Sequence, residues 1–150
     1  MPSRHKGSPS ERRALAAYIN LTRAANAVTS QAMKHLDEHG LTPSQFMVLE
    51  ALYHVGPLCL SDLARKILRT SGNLTMVVDN LEKSGMVKRV QSETDRRYFS
   101  VEITEKGSEL IARIFPEHAA GITEIMGRLT PEEQETLREL SRKLGVEKAQ

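Results

Sequence analysis

Between Cys59 and Lys106 the chain sets two short amphipathic segments around a tight polar turn and follows them with a basic-tipped hairpin. Leu60–Leu68 reads as a short helix, Arg69-Thr70-Ser71-Gly72 as the turn, and Asn73 to about Ser84 as a second helix. In that second helix Leu74, Val77, Val78 and Leu81 recur at i, i+3, i+4 and i+7, one apolar stripe for a core. The opposite face carries Asn73, Thr75, Met76, Asp79, Asn80 and Lys83. Short hydrogen-bonding groups with an apolar neighbour are the side chains that read base edges and thymine methyls. The same face also suits an exposed helix in any small α protein.

The hairpin narrows the choice. Met86-Val87-Lys88-Arg89-Val90 leads into the tip Glu93-Thr94-Asp95-Arg96-Arg97, and Tyr98 to Ile103 leads out with alternating apolar residues. Gly85 after Lys83-Ser84 is a helix C-cap signal. Asp95, two residues before Arg97, can hold that guanidinium extended by a charge-assisted pair, and an arginine so aimed suits a narrow minor groove. A charged tip also serves simply to keep a sheet edge soluble. Helix, turn, helix and wing in this order predict a winged helix-turn-helix, mainly α with a small β-wing, built to set one helix in a DNA major groove.

Four motifs resemble the MarR family of bacterial transcription regulators: Leu60-Ser61-Asp62-Leu63-Ala64, Leu81 to Arg89, Asp95-Arg96-Arg97, and Ile103-Thr104-Glu105-Lys106-Gly107. Each is weak alone; together, in order and at family-like spacing, they are specific, and the likeness spans nearly the whole chain. The resemblance implies one domain over 1–150, with six helices plus a β-hairpin. The helix-turn-helix falls at about 59–84 and the wing at about 86–103, with dimerisation helices at about 11–38 and 105–145. It implies that Ser71 to Met76 enter the major groove and that Arg97, braced by Asp95, enters the minor groove. Arg69, Lys88 and Arg89 are expected to meet phosphates, with Thr70 and Arg96 beside them, while Asn73 and Thr75 set sequence preference. The implied partner is double-stranded DNA, read by a homodimer at two inverted half-sites about one helical turn, roughly 34 Å, apart. Repression is the family's habit. Asn73-Leu74-Thr75 and Asp79-Asn80-Leu81-Glu82 are similar to its quinone-responsive branch.

Composition limits the alternatives. A chain of 150 residues, 39% hydrophobic and 27% charged, suffices for one globular domain with a real core. Its apolar runs fall short of a membrane span, and Met1 to Ser10 is basic without the apolar stretch of a secretory signal. A lone cysteine excludes an intrachain disulfide framework and makes a cytoplasmic location the default. Residues 65–106 hold nine Lys/Arg against six Asp/Glu in a chain of net charge +2, a basic segment on a near-neutral body that fits phosphate contact.

The flanks read as helices. Ser10 is expected to cap a first helix from Glu11 to about Glu38, and Thr42-Pro43-Ser44-Gln45 is a capping box for a second. Thr104 caps a fifth, which Pro116 and Gly121 are expected to bend or interrupt, and Thr130-Pro131-Glu132-Glu133 opens the last. Leu137, Leu140 and Leu144 are expected to point inward. Leu137 and Leu140, with Leu15, Ile19, Ile122, Ile125, Met126 and Leu129, form more apolar face than one small winged domain needs, which a two-fold dimer would cover; a monomer with a larger intramolecular core is the alternative.

Several residues bear on what is sensed. By resemblance, Cys59 sits where the family commonly has a Ser or Thr capping the third helix, a place where backbone N–H groups and the helix dipole favour thiolate, so it is a redox candidate; burial as a small inert hydrophobe is the alternative. His35 and His39 at i, i+4 have a zinc-gripping spacing or mark a solvated helix end, and His54 and His118 have no motif partner, so no metal or other cofactor is expected. By resemblance, a small aromatic or phenolic ligand would bind near Phe46, Leu49 and Tyr53. No phosphate loop, dinucleotide turn, Cys–His metal pair or nucleophile elbow is present, so no enzyme is expected. A protein-interaction module is the rival of another class; salt-sensitive binding to duplex DNA separates the two.

Overall fold

The structure, a computed structural model, describes residues 4–67 and 71–145. It divides into a central unit, Lys34–His118, and a terminal unit formed by Met1–Met33 with Ala119–Gln150. Arg69 and Thr70 of the predicted turn lie outside the described residues.

The central unit holds α2 (Pro43–Val55), β1 (Leu58–Cys59), α3 (Leu60–Ile67), α4 (Ser71–Lys83), β2 (Val87–Gln91), β3 (Phe99–Ile103) and the first part of α5 (Glu105–Met126). α2 starts where the reciprocal box predicts. Gln45 N donates to Thr42 Oγ1 at 3.2 Å, Thr42 N donates to Gln45 Oε1 at 3.0 Å, and Pro43 fills the first turn. The three strands form an antiparallel sheet in the order β1-β3-β2, with Val101 of β3 facing Leu58 on one side and Arg89 on the other. Phe46, Leu49, Leu52, Leu63, Leu74, Val78, Leu81, Val101, Ile111 and Ile114 are buried in the core. The stripe read on α4 therefore faces inward as its spacing dictates, with Val77 at the margin.

The turn from α4 into β2 explains one motif. Met86 N donates to Leu81 O and Gly85 N to Glu82 O, both at 2.9 Å, while Gly85 takes φ +73°; this is a Schellman ending that requires a left-handed residue. Thr104 Oγ1 then donates to Gly85 O at 2.6 Å and accepts from Gly107 N at 3.2 Å, and Lys106 Nζ donates to Ser84 O at 2.8 Å. A Cβ at Gly107 would stand 2.3 Å from Met86 O. Thr-Glu-Lys-Gly thus clamps the start of α5 onto the end of the α4–β2 turn. Gly107→Ala is expected to destabilise folding by about 1–3 kcal/mol, because a backbone oxygen must move; an unchanged denaturant midpoint would show that the clamp yields freely.

The terminal unit contains α1 (Pro9–Ala32), the end of α5 and α6 (Pro131–Gly145). Glu133 N donates to Thr130 Oγ1 at 3.2 Å and Thr130 N to Glu133 Oε2 at 2.8 Å, so α6 begins on the predicted box. Within this unit Arg128 Nη2 donates to Gln31 Oε1 at 3.1 Å.

Five expectations are corrected. α1 is capped by Ser8, not Ser10, because Ser8 and Glu11 make a reciprocal box with Pro9 behind it. It ends at Ala32, and Lys34–His39 is a separate 3-10 helix, so His35 and His39 do not share an α-helical face. α4 begins at Ser71, two residues inside the predicted turn. α5 runs on through Pro116 and Gly121 without a break. In the chain alone α6 buries no residue: Leu140 is 61% and Leu144 71% exposed, not inward.

Candidate nucleic-acid interface

α4 turns its short side chains outward. Asn73, Thr75 and Asn80 are exposed, and Met76 is 68% exposed, a large apolar group held in solvent on a helix whose other side is core. α4 begins with Ser71, whose side chain lies outside the described residues.

The wing tip is a tied turn. Ser92 N donates to Tyr98 O at 2.9 Å, Tyr98 N to Asp95 O at 3.1 Å, and Gln91 Nε2 to Arg96 O at 2.6 Å. Asp95 is clasped by Arg97, whose backbone N and Nε donate to Oδ1 at 3.1 Å each and whose Nη2 donates to Oδ2 at 2.8 Å. These bonds hold the Asp95 carboxyl below its ordinary range, the side-chain bond acting most, and push the Arg97 guanidinium further up. The Arg97 side chain remains 82% exposed, and its guanidinium lies 5.9 Å from the Tyr98 ring centroid. A cation fixed in direction and open to solvent is what insertion into a groove of negative potential requires.

The other predicted contacts divide. Lys88 is exposed and meets Glu102 across the sheet at 3.6 Å, a surface pair that costs little to exchange for a phosphate. Arg96 is exposed. Arg89 differs, since its guanidinium is engaged by Asp79 and Glu82 and is only 23% exposed.

The ligand and sensor candidates also separate. Phe46 and Leu49 are fully buried in the core, whereas Tyr53 is exposed and packs against His54 at a ring-centroid distance of 5.1 Å. A cleft of about 270 Å³ beside α2 and α3 is lined by Met47, Glu50, Ala51, His54, Lys66 and Ile67. The predicted capping role of Cys59 is not what its thiol does: Sγ donates to Asp62 Oδ2 at 3.1 Å and lies 3.2 Å from Ser61 Oγ. That bond lowers the Asp62 carboxyl, with Arg65 also paired to it. A thiolate there would face a carboxylate instead of open backbone N–H groups. His35 packs with Phe46 and His118 at 6.0 and 5.1 Å, and His39 Nε2 contacts Glu117 Oε2 at 3.1 Å. Among the described residues no three His, Cys, Asp or Glu side chains are arranged to hold a metal ion, and no helix is long and apolar enough to cross a membrane.

The sequence profile of the MarR family matches residues 41–99. The HTH-type transcriptional regulator MhqR of Bacillus subtilis (strain 168) is 42% identical over 134 residues, covering 89% of this chain and 92% of that protein. Among solved structures, Sco3205, a MarR family transcriptional regulator from Streptomyces coelicolor in complex with DNA, superposes with a TM-score of 0.81 at 25% identity, covering 95% of this chain and 90% of that one. NadR in complex with 4-hydroxyphenylacetate superposes with a TM-score of 0.77 at 26% identity over 98% of this chain and 100% of that one.

Proposed function

Because the chain belongs to the MarR family of DNA-binding transcriptional regulators and is not an enzyme, we propose that it is a ligand- or stress-responsive repressor that binds a pseudo-palindromic operator as a homodimer. The observation that carries this reading is the Asp95–Arg97 clasp, which presents an oriented, solvent-exposed guanidinium at the wing tip while α4 presents Asn73, Thr75 and Met76. In this reading α4 lies in the major groove, Arg97 in the flanking minor groove, and Lys88 and Arg96 meet phosphates, with Arg69, Thr70 and Ser71 as further contacts expected from the sequence. The exposed leucines of α6, with Tyr18 and Leu21 of α1, support a second copy as the surface that covers them.

For the signal, the NadR complex with an aromatic acid supports a small aromatic or phenolic ligand here as well. Of the three candidate residues Tyr53 is the accessible one; a ligand reaching Phe46 or Leu49 has to open the core. The experiment is a gel shift on the DNA upstream of the protein's own gene, repeated with aromatic acids. Retardation that weakens with salt and is released by one of the acids is expected. Retardation insensitive to salt, or absent, would favour a protein-interaction module instead.

The division of labour at the interface is testable on an operator library. Asn73→Ala or Thr75→Ala is expected to change preference by about 1–3 kcal/mol at particular base pairs, whereas Lys88→Ala weakens all sequences alike and lowers the salt slope by about one. The same pattern from Asn73→Ala and Lys88→Ala would refute that division. Cys59→Ser is expected to release DNA under peroxide or quinone to the same extent as wild type, since the thiol is held by Asp62. Release lost only in the serine variant would make Cys59 the sensor.

A further inference from the structure

Arg89 stands on β2 but reaches across to α4. Its Nη2 donates to Asp79 Oδ1 at 2.5 Å, its Nη1 to Glu82 Oε1 at 2.8 Å, and its backbone N to Glu82 Oε2 at 2.9 Å. The guanidinium also lies 5.4 Å from the centroid of the Phe99 ring on β3. Burial works against the charge, but the bonds to Asp79 and Glu82 outweigh it, and the guanidinium pKa is raised. The bonds to Asp79 and Glu82 join residues ten and seven apart in sequence and on different elements, so neither is an accident of one helix or one hairpin.

Their placement bears on how DNA is read. Asp79 follows Met76 by three residues and Thr75 by four, on the outward side of α4. Left alone, its carboxylate would repel phosphates. The wing and α4 must also reach neighbouring grooves together, so the distance between them has to be fixed before DNA arrives. A planar fork that bonds two carboxylates at once fixes distance and direction together, which a point-charge ammonium cannot do. Arg97, by contrast, is clasped within its own tip and leaves its charge in solvent.

Building on the DNA-binding role, we infer that Arg89 is a positioning residue that locks the recognition helix to the wing through Asp79 and Glu82, and not a phosphate contact. It acts on specificity, because correct docking of α4 and of the wing tip depends on their relative placement, while non-specific attraction depends on charge alone.

The test compares affinities for a duplex selected by the wild-type protein from a random library and for a random-sequence duplex. It uses wild type, Arg89→Lys, Arg89→Gln, Asp79→Asn/Glu82→Gln, and the combination of Arg89→Lys with that pair. Circular dichroism and thermal unfolding establish that each variant is folded at the assay temperature. Arg89→Lys is expected to lower the selected-to-random ratio by roughly tenfold while keeping the charge. Asp79→Asn/Glu82→Gln is expected to lower the ratio as well, although it removes two negative charges, and the combination is expected to fall no further than either alone. The inference is overturned if Arg89→Lys keeps the wild-type ratio, or if Arg89→Gln weakens both duplexes equally and lowers the salt slope by about one, the signature of a phosphate contact. Wild type without salt-dependent duplex binding would overturn the regulator reading itself, and this inference with it.

Discussion

Arg97→Ala is expected to lower operator affinity by roughly ten- to a hundredfold and to leave the fold and thermal midpoint unchanged. The side chain is 82% exposed and, among the described residues, meets Asp95 and the Tyr98 face in its own tip, so the core loses nothing when it is truncated. Asp95→Ala is expected to weaken binding less, because the charge remains and only its direction is freed. The clasp is insensitive to pH across the neutral range. The Asp95 carboxyl is lowered, so its contribution is fully present above the ordinary carboxylate range and is lost only as pH falls through the depressed value. Wild-type affinity in a folded Arg97→Ala protein would remove the minor-groove role.

Leu140→Glu combined with Leu144→Glu is expected to convert the protein to a monomer and to abolish operator binding at concentrations where wild type saturates. α6 carries no buried residue in the single chain, and both leucines stand in solvent there, so charges cost the isolated chain little. In a dimer they would sit unpaired in an apolar interface, at a cost of several kcal/mol. Loss of the second half-site also removes the multiplied affinity of two linked modules. Sedimentation velocity decides the matter. A monomeric wild type would remove the dimer, and a double variant that still sediments as the wild-type dimer would place the interface elsewhere.

Most of the central unit was legible because each signal there has one physical meaning. The spacing of Leu74, Val78 and Leu81 demands a buried helix face, and Gly85 is the residue that a left-handed helix end needs. Asp95 and Arg97 stand two residues apart, a separation from which the carboxylate takes both the backbone N–H and the guanidinium. The misreadings share a cause, namely competition between neighbours. Ser8 and Ser10 are both caps in principle, and Glu11 selects Ser8 because it is three residues on. Cys59 looks like a helix cap until Asp62, three residues later, accepts the hydrogen bond of its thiol. Arg89 looks like one more basic residue in a basic segment. Only the folded pairing of α4 with β2 brings Asp79 and Glu82 to it, and that is a tertiary fact without a sequence period. Thr104 to Gly107 was visible as a motif but not as a clamp, because the carbonyls it meets belong to Ser84, Gly85 and Met86.

The most direct test of the central claim is chemical interference footprinting of the wild-type protein on its upstream DNA, with major- and minor-groove probes in parallel. Two patches of major-groove interference about 34 Å apart on the helix axis are expected, one for each α4, with minor-groove protection flanking each at the reach of Arg97. The flanking protection is expected to vanish in Arg97→Ala while the major-groove patches persist at higher protein concentration. A single patch, continuous protection without a repeat, or flanks unaltered by Arg97→Ala would contradict a dimer that reads two half-sites with helix and wing.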